Sequence, residues 1–316
     1  MKRSLILACI LVIMAASGIV AAPKYTIGVD QLWFKNPYAT GMVNEFKRYC
    51  AEKGLGVIIL DAELNVEKEA HNIDILIDKD VDGFIFTPVD AEASKGLVKK
   101  MVDTGKPVVN CNSPINDPKE LGVRAYAGPS SYRQAQDIAR AAGKLKPNAR
   151  VVICTGTPGY AASIEREKGF TDTVAKEFPK MKILGIQTSN WSREETQRVT
   201  SDFITKYGKQ IDMVYCADDN MSVGAVNAFK AAGYTKDSRP LFVSLTAMPE
   251  YMQLVKEGWA DLTCIQSPKV DVDLALDAMV KLLAGEQKEP YKEYIMENVT
   301  VDKSNIQKVI DMRIWD

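Results

Sequence analysis

The segment VDGFIFTPVDA, residues 81–91, resembles the segment IDMVYCADDNM, residues 211–221. Each places a short apolar run of strand length before a turn that carries aspartate. A second pair, GKPVVNCNS from Gly105 and SRPLFVSLT from Ser238, follows in the same order at a similar separation of roughly 130 residues. Two matches with nearly one offset predict two lobes of similar α/β structure.

Further apolar runs lie on both sides of these segments and alternate with amphipathic stretches. The runs are YTIGVD, GVIILD, GFIFTP, KPVVNC, ARVVICTG, KILGIQ, DMVYCAD, PLFVSLT and ADLTCIQ. Strands this apolar are buried on both faces, which indicates parallel sheets covered by helices. The predicted fold is therefore α/β, with two similar Rossmann-like lobes, each a parallel sheet flanked by helices, joined by a multi-strand hinge.

The lobe boundaries follow from breaks in this pattern. Gly128 and Pro129 interrupt it within YAGPSSY. A helix pattern begins at Val270, after the second lobe is complete, so we expect the chain to return to the first lobe there. We predict an N-terminal lobe of residues 23–127 plus 267–293 and a C-terminal lobe of residues 128–266 plus 294–316.

The N-terminus has the layout of a secretory signal peptide. Lys2 and Arg3 precede an uncharged apolar run that ends in small residues at Ala21 and Ala22. A membrane anchor is the alternative, because the run is nearly long enough to span a bilayer. The small residues at its end favour cleavage, so we predict that residues 1–22 are a signal peptide and that the mature protein is periplasmic.

The composition is that of a globular protein, with 46% hydrophobic and 26% charged residues. A net charge of -1 gives no electrostatic reason to expect nucleic acid or acidic lipid as a partner. The cysteines beyond the leader are odd in number and widely spaced, so we predict buried free thiols rather than a disulfide framework. They are Cys50, Cys111, Cys154, Cys216 and Cys264.

A metal centre is not expected. No pair of cysteines has the spacing of zinc ligands, and the single histidine, His71, falls on a helix pattern that predicts an ordinary surface or groove residue. The segment TGTPGYAAS from Thr155 invites comparison with a phosphate-binding loop, but it lacks the lysine of a P-loop and the three glycines of a dinucleotide fingerprint. We expect a tight turn there, no cofactor and no enzymatic activity.

Polar and aromatic side chains follow the predicted strands. The carboxyl ends of parallel strands converge on a crevice, and two facing lobes bring both sets of loops to one cleft. The candidate ligand-binding residues are Trp33, Asn36, Tyr38, Asp90, Asn112, Trp191, Asp218, Thr246 and Gln266. Amides and carboxylates pair with hydroxyl groups while aromatic faces cover C–H groups, so this set predicts a neutral polyhydroxylated ligand.

Each candidate also has a structural interpretation. The rings of Trp33 and Trp191 can pack in the core, and Asn36 or Asp218 can cap a helix without contacting a ligand. Gln266 can serve as a hinge residue alone. The sequence leaves these alternatives open.

Six motifs occur in one order along residues 25–300. They are IGV followed by NPY, VDGFIFTPVDAEA, TGKPVVNCN, EREKGF, CADDNMSVGAVNAFKAAG and TCIQSP. In these motifs the chain resembles the periplasmic sugar-binding proteins of ABC transporters, the type I periplasmic binding proteins that include ribose- and galactose-binding proteins. By this resemblance, Asn36 and Tyr38 match the hydrogen-bonding amide and stacking aromatic of the first lobe, Asn112 an acidic residue, Trp191 the stacking aromatic of the second lobe, Asp218 an amide, and Gln266 the hinge glutamine.

Ribose-binding proteins carry charged residues at four positions where this chain has uncharged ones. They carry Asp-Arg where this chain has Asn112 and Ser113, arginine at the position of Ile164, and aspartate at the position of Thr246. Charge-assisted bonds to the sugar are therefore largely missing, which favours another monosaccharide, a deoxy sugar or a polyol. Arg166, two positions beyond Ile164, can either partly compensate for the missing arginine or face solvent, and we expect it to face solvent.

The resemblance also implies a mechanism and a partner. The ligand docks on one lobe, the second lobe rotates onto it, and a permease of an ABC transporter in the inner membrane recognises the closed form. We expect a monomer. The alternative is a sensor of the same fold that binds a furanosyl quorum signal or another small solute and reports to a chemoreceptor.

Overall fold

The computed structural model describes residues 23–315. Strands and helices alternate along most of this length. The strands are β1 (Thr26–Gln31), β2 (Gly56–Asp61), β3 (Gly83–Phe86), β4 (Val108–Cys111), β5 (Ala125–Gly128), β6 (Arg150–Thr155), β7 (Lys182–Thr188), β8 (Met213–Cys216), β9 (Leu241–Val243), β10 (Thr263–Cys264), β11 (Lys292–Ile295) and β12 (Thr300–Val301). The helices are α1 (Pro37–Lys53), α2 (Val66–Asp78), α3 (Lys95–Val102), α4 (Pro118–Leu121), α5 (Ser131–Leu145), α6 (Ala161–Glu177), α7 (Arg193–Tyr207), α8 (Asp219–Ala231), α9 (Pro249–Glu257), α10 (Pro268–Leu283) and α11 (Ile306–Asp311).

Two parallel sheets organise the chain. The first has the strand order β11-β5-β4-β3-β1-β2, and the second has the order β7-β6-β8-β9. All pairings within both sheets are parallel. The short strands β10 and β12 form a separate antiparallel pair. The predicted α/β fold with two parallel-sheet lobes is therefore confirmed.

The internal similarity reflects equivalent places in the two sheets. The segments from Val81 and Ile211 form β3 and β8, and each of these strands lies beside the first strand of its sheet, β1 or β6. The segments from Gly105 and Ser238 form the next strands outward, β4 and β9. Similar sequences therefore occupy the same position in each lobe because they meet the same packing environment.

Burial explains why these strands are so apolar. Every residue of β3, β4 and β8 is buried, whereas the edge strands β2 and β7 remain partly exposed. On the helix-covered face of the second sheet, the rings of Phe170 and Tyr215 stack with their centroids 4.1 Å apart. Burying one such large apolar side chain stabilises the fold by about 1.5–3 kcal/mol.

The chain returns to the first sheet after β10. Helix α10 packs against α1, β4 and β5, and β11 pairs with β5 at the edge of that sheet. Afterwards β12 pairs with β10, and α11 packs against α9. The exact lobe boundaries given above stay a prediction.

Several helices begin at the cleft edge of the sheets with a side-chain cap. In four helices a side chain accepts a hydrogen bond from a backbone N–H of the first turn: Asn36 in α1, Ser192 in α7, Asp218 in α8 and Ser267 in α10. Since a helix that follows a parallel strand starts near the strand's carboxyl end, the caps of α1 and α8, Asn36 and Asp218, lie between the lobes.

The remaining features concern single residues. The five cysteines between residues 23 and 315 are buried and unpaired, as predicted. His71 is exposed on α2, also as predicted. Among the helices described, none is both long and apolar enough to cross a bilayer. The predicted signal peptide, residues 1–22, lies outside the described residues.

Candidate ligand-binding site

The loops at the carboxyl ends of both sheets enclose a cavity between the lobes. Eight of the nine predicted site residues line it: Trp33, Asn36, Tyr38, Asn112, Trp191, Asp218, Thr246 and Gln266. They come from six separate loops or helix starts. The structure thus gathers these side chains at one place, as the convergence of strand ends requires.

Asp90 is the exception. It lies in a second, open depression with Glu92, Asn116 and Glu165, not in the cavity. Its carboxylate accepts hydrogen bonds of 2.8 Å from the backbone N–H groups of Glu92 and Ala93, which fixes the turn before α3. This local role, rather than a ligand contact, explains the aspartate after β3.

Asn36 and Asp218 meet across the cleft. Asn36 Nδ2 donates to Asp218 Oδ2 over 3.3 Å, while each side chain also caps its own helix: Asn36 Oδ1 accepts from the Tyr38 N–H, and Asp218 Oδ1 from the Met221 N–H. Further hydrogen bonds join the lobes, from Tyr160 Oη to Asn112 Oδ1 over 2.9 Å and from the Ala162 N–H to Ser113 Oγ. The described conformation is therefore closed.

A buried carboxylate, Asp271, underlies the first-lobe side of the cavity. Its Oδ2 accepts hydrogen bonds from Tyr38 Oη and Asn112 Nδ2, both over 2.7 Å, and a longer one from Gln266 Nε2 over 3.4 Å. The residue is fully buried, and its Oδ1 has no hydrogen-bond partner among residues 23–315. Three predicted ligand-binding residues thus share one acceptor.

Arg166 does not face solvent, and that expectation was wrong. Its side chain is buried and lines the cavity, where Nη1 donates to the Ala217 carbonyl over 2.7 Å and Nη2 donates to Gln266 Oε1. Ile164, by contrast, is exposed and lies in the outer depression. The helical turn of α6 at this point directs position 166 inward and position 164 outward.

Trp191 is both a core residue and a wall of the cavity. Its ring meets the Tyr160 ring edge-to-face at 5.8 Å, and the Arg166 guanidinium lies 5.7 Å from the ring centroid. A Cβ on Gly156 would come within 2.1 Å of the indole, so only glycine allows the ring to lie there. The indole Nε1 is buried without a hydrogen-bond partner in the described part of the chain.

Three residues of this site have a strained backbone conformation. Asn112 has φ 65°, Trp191 has φ 60° and Thr246 has φ 109°, all in the region that favours glycine. A β-branched residue such as threonine rarely adopts this conformation, and residues held so are often found at ligand sites. The strain orients these three side chains toward the cleft.

Burial sets the charge balance of the cleft. It raises the pKa of Asp218, against the opposing effects of the Met221 N–H and Arg166. It also raises the pKa of Asp271 to about 6, although hydrogen bonds from Asn112 and Tyr38 favour the ionised form. The Arg166 guanidinium favours the ionised form of both carboxyl groups.

Sequence reasoning missed Asp271, placed Tyr160 in a loop at the cleft without selecting it as a site residue, and expected Arg166 to face solvent. A signal for the two charged residues existed: each lies on the apolar stripe of its helix, Asp271 four positions before Ala275 and Arg166 four before Phe170. A charge on a buried face needs a partner, which makes it a candidate for a polar site. Tyr160 carried no such signal beyond its position after β6.

A family model described as a periplasmic binding protein domain matches residues 27–287, which is most of the chain. The chain belongs to this family. The resemblance noted from the sequence motifs is thereby confirmed.

This periplasmic binding protein is similar to curated relatives along most of its length. It is 28% identical over 259 residues to a xylitol-binding protein of Mycolicibacterium smegmatis, covering 82% of this chain and 72% of the relative. It is 28% identical over 273 residues to a putative rhizopine-binding protein of Rhizobium meliloti, covering 84% and 87%. These relatives are binding proteins rather than enzymes, in agreement with the prediction that the chain is not an enzyme.

Solved structures of the family share the fold. The myo-inositol binding protein of Caulobacter, solved with myo-inositol bound, superimposes with a TM-score of 0.84 at 26% identity, covering 91% of this chain and 97% of that one. The two-lobed architecture of this periplasmic binding protein is thus the one its relatives use.

Proposed function

We propose that this protein is a periplasmic solute-binding protein that captures a polyol or monosaccharide between its lobes and delivers it to the permease of an ABC transporter. The predicted leader, the family and the relatives that bind xylitol and myo-inositol support this proposal. The eight predicted site residues that line the cavity, together with Arg166 and Tyr160, are its proposed contacts.

The observation that carries the proposal is the mixture of acceptors and donors around the cavity. Asp218 and Asn112 offer oxygen acceptors, whereas Trp191 Nε1 and Arg166 Nε are buried donors with no partner within residues 23–315. A hydroxyl group donates and accepts at once, so a ring or chain of hydroxyls satisfies both kinds of group. Leaving such groups unpaired costs about 1–3 kcal/mol each, which favours binding of a ligand that forms hydrogen bonds with them.

The size of the cavity indicates how the ligand enters. The closed lobes leave about 60 Å³ of free space. This is small beside the ~150 Å³ cavity that accepts benzene in another protein. A polyol therefore needs the lobes to part, and its hydroxyls then replace the hydrogen bond between Asn36 and Asp218 on closure. Contacts available only in the closed form shift the population toward it.

A thermal-shift screen tests the ligand class. The panel contains xylitol, myo-inositol, D-ribose and deoxy sugars, with amino acids and nucleosides as controls, and mass spectrometry identifies any co-purified compound. At a concentration of 100 Kd, a true ligand raises the free energy of unfolding by about 2.7 kcal/mol. A shift with only amino acids or nucleosides would overturn the ligand class.

The transport role needs a separate experiment. In proteoliposomes that contain the ABC transporter for the identified ligand, the ligand-loaded protein should stimulate ATP hydrolysis more than the ligand-free protein does. Equal stimulation by both forms, or by neither, would contradict delivery and would favour a sensor that reports to another receptor.

A further inference from the structure

We propose that Asp271 is a positioning residue that makes Tyr38 and Asn112 hydrogen-bond acceptors toward the ligand, so that the cleft selects hydroxyl groups over carboxylates. This inference rests on the proposed function, because it names the ligand groups that the same site takes. Asp271 does not line the cavity, so it acts through the two side chains that do.

The geometry fixes the direction of both hydrogen bonds. An ionised carboxylate can only accept hydrogen bonds, so the Tyr38 hydroxyl donates its single hydrogen to Asp271 Oδ2, 2.7 Å away. The Asn112 amide turns its nitrogen to the same oxygen, also over 2.7 Å. Its Oδ1 therefore points to the second lobe, where it accepts from Tyr160 Oη and keeps a further lone pair.

The first-lobe wall is thus rich in acceptors. Tyr38 Oη and Asn112 Oδ1 present lone pairs, and the Asp218 carboxylate across the cleft accepts as well. A ligand hydroxyl can donate to any of them, whereas a ligand carboxylate cannot. Arg166 does not reverse this preference, because Ala217 and Gln266 already accept from its two Nη atoms, which leaves Nε as its one unpaired nitrogen among residues 23–315, and the Asp271 carboxylate opposes its charge.

The same arrangement makes selection depend on pH. The titratable groups that face Asp271 from neighbouring elements are Tyr38 on α1, Cys111 on β4, Tyr126 on β5, and Tyr160 and Arg166 of the second lobe. Burial raises the pKa of the three tyrosine hydroxyls and of the Cys111 thiol, so they stay neutral from pH 5 to pH 8. Asp271, with a pKa raised by burial to about 6, then changes charge within this range and Arg166 does not. A protonated Asp271 donates a hydrogen bond, which lets Asn112 reverse its amide.

A matched pair of variants tests the proposal. Asp271→Asn removes the charge, and Asp277→Asn is the control: Asp277 lies on the same helix and accepts from Tyr49 Oη as Asp271 accepts from Tyr38, but it is exposed. The probes are xylitol and D-xylonate, which differ at one terminal group, and binding is measured by calorimetry. Wild type and Asp277→Asn should prefer xylitol by at least about 30-fold, and Asp271→Asn by no more than about threefold.

The pH dependence of xylitol affinity distinguishes a positioning role of Asp271 from a purely structural one, because a purely structural residue would not produce it. Xylitol affinity of the wild type and of Asp277→Asn should fall about tenfold from pH 7.5 to pH 5.0, because only the ionised form of Asp271 orients the wall. Asp271→Asn should show no step near pH 6. An unchanged preference or an unchanged pH profile in Asp271→Asn would overturn the proposal. Should that variant fail to fold, Tyr38→Phe replaces it, since loss of one acceptor should also reduce the preference for xylitol.

A ligand-free measurement separates this proposal from the proposed function. The side-chain amide signal of Asn112, assigned by its loss in Asn112→Ala, is followed by ¹H–¹⁵N NMR between pH 5 and pH 8. The proposal requires a transition near pH 6 that disappears in Asp271→Asn and persists in Asp277→Asn. If no polyhydroxylated probe binds the wild type, the proposed function fails. If the Asn112 amide signal does not change between pH 5 and pH 8, the positioning role of Asp271 is refuted.

Discussion

Asn36 Nδ2 donates a hydrogen bond of 3.3 Å to Asp218 Oδ2, joining residues 182 positions apart on opposite sides of the cleft. Each of the two also caps a helix, α1 or α8. The positive ends of two helix dipoles therefore meet where the lobes close, which favours the ionised form of Asp218. A ligand hydroxyl that enters here can accept a hydrogen bond from Asn36 and donate one to Asp218.

Replacement of Asp218 separates its capping role from its ligand role. Asp218→Asn keeps a side chain that accepts from the Met221 N–H, so stability should change little, whereas Asp218→Ala should lose about 1 kcal/mol of unfolding free energy. Both variants should bind the identified ligand at least about tenfold more weakly, because the charged acceptor is gone. Urea unfolding and calorimetry measure the two effects. Wild-type affinity in Asp218→Asn would show that binding does not depend on the charge of Asp218.

Arg166 and Ile164 form a matched pair on helix α6. Arg166→Gln removes a buried guanidinium that lines the cavity, and affinity should fall by about 10- to 100-fold. Ile164→Arg adds a guanidinium at an exposed position outside the cavity and should leave affinity unchanged. Calorimetry with the ligand from the screen measures the affinity of both variants. A gain of affinity in Ile164→Arg would mean that the cleft opens toward position 164.

Trp191 combines packing with an indole N–H that has no hydrogen-bond partner within residues 23–315, and two substitutions distinguish these roles. Trp191→Ala should lower both stability and affinity, since truncating a buried tryptophan typically costs about 3–5 kcal/mol. Trp191→Phe keeps a ring between Gly156 and Tyr160 but removes the N–H, so affinity should fall about 5- to 100-fold while the melting temperature stays close to that of the wild type. Full affinity in Trp191→Phe would show that the indole N–H does not contact the ligand.

Glu69 should make stability depend on pH. It is buried on α2, where its carboxylate accepts from Ser94 Oγ over 2.6 Å and from the Val89 N–H over 3.1 Å, and burial raises its pKa to about 7. The folded state therefore holds the proton more tightly than the unfolded state. This stabilisation, on the order of 3 kcal/mol, is full below about pH 4.5 and is lost as pH rises through 7.

Glu69→Gln tests this sign. The variant should be more stable than the wild type at pH 8 and no more stable at pH 5, as measured by urea unfolding. Glu67→Gln, an exposed position on the same helix, is the control and should follow the wild type at both values. Parallel pH dependence in Glu69→Gln and the wild type would contradict the prediction.

Local sequence signals accounted for the fold and for much of the cavity wall. Apolar runs of strand length and helix caps are local features, so they placed residues such as Asn36 and Asp218 at strand ends without knowledge of contacts. Asp271 was missed because an aspartate in the first turn of a helix is ordinary, and Asp273 and Asp277 on α10 look alike in sequence. Asp90 was included for its place after β3, although its carboxylate serves a local turn.

The sequence by itself determined two parallel-sheet lobes and the loops that face each other, because hydrophobic periodicity and strands apolar on both faces can be recognised in short segments of sequence. Only the tertiary structure decided which polar atoms meet and in which direction each hydrogen bond runs. Tyr38 and Asp271 are 233 positions apart, and their 2.7 Å contact exists because α10 packs against α1. Distances between remote residues depend on the packing of whole elements, which no local pattern specifies.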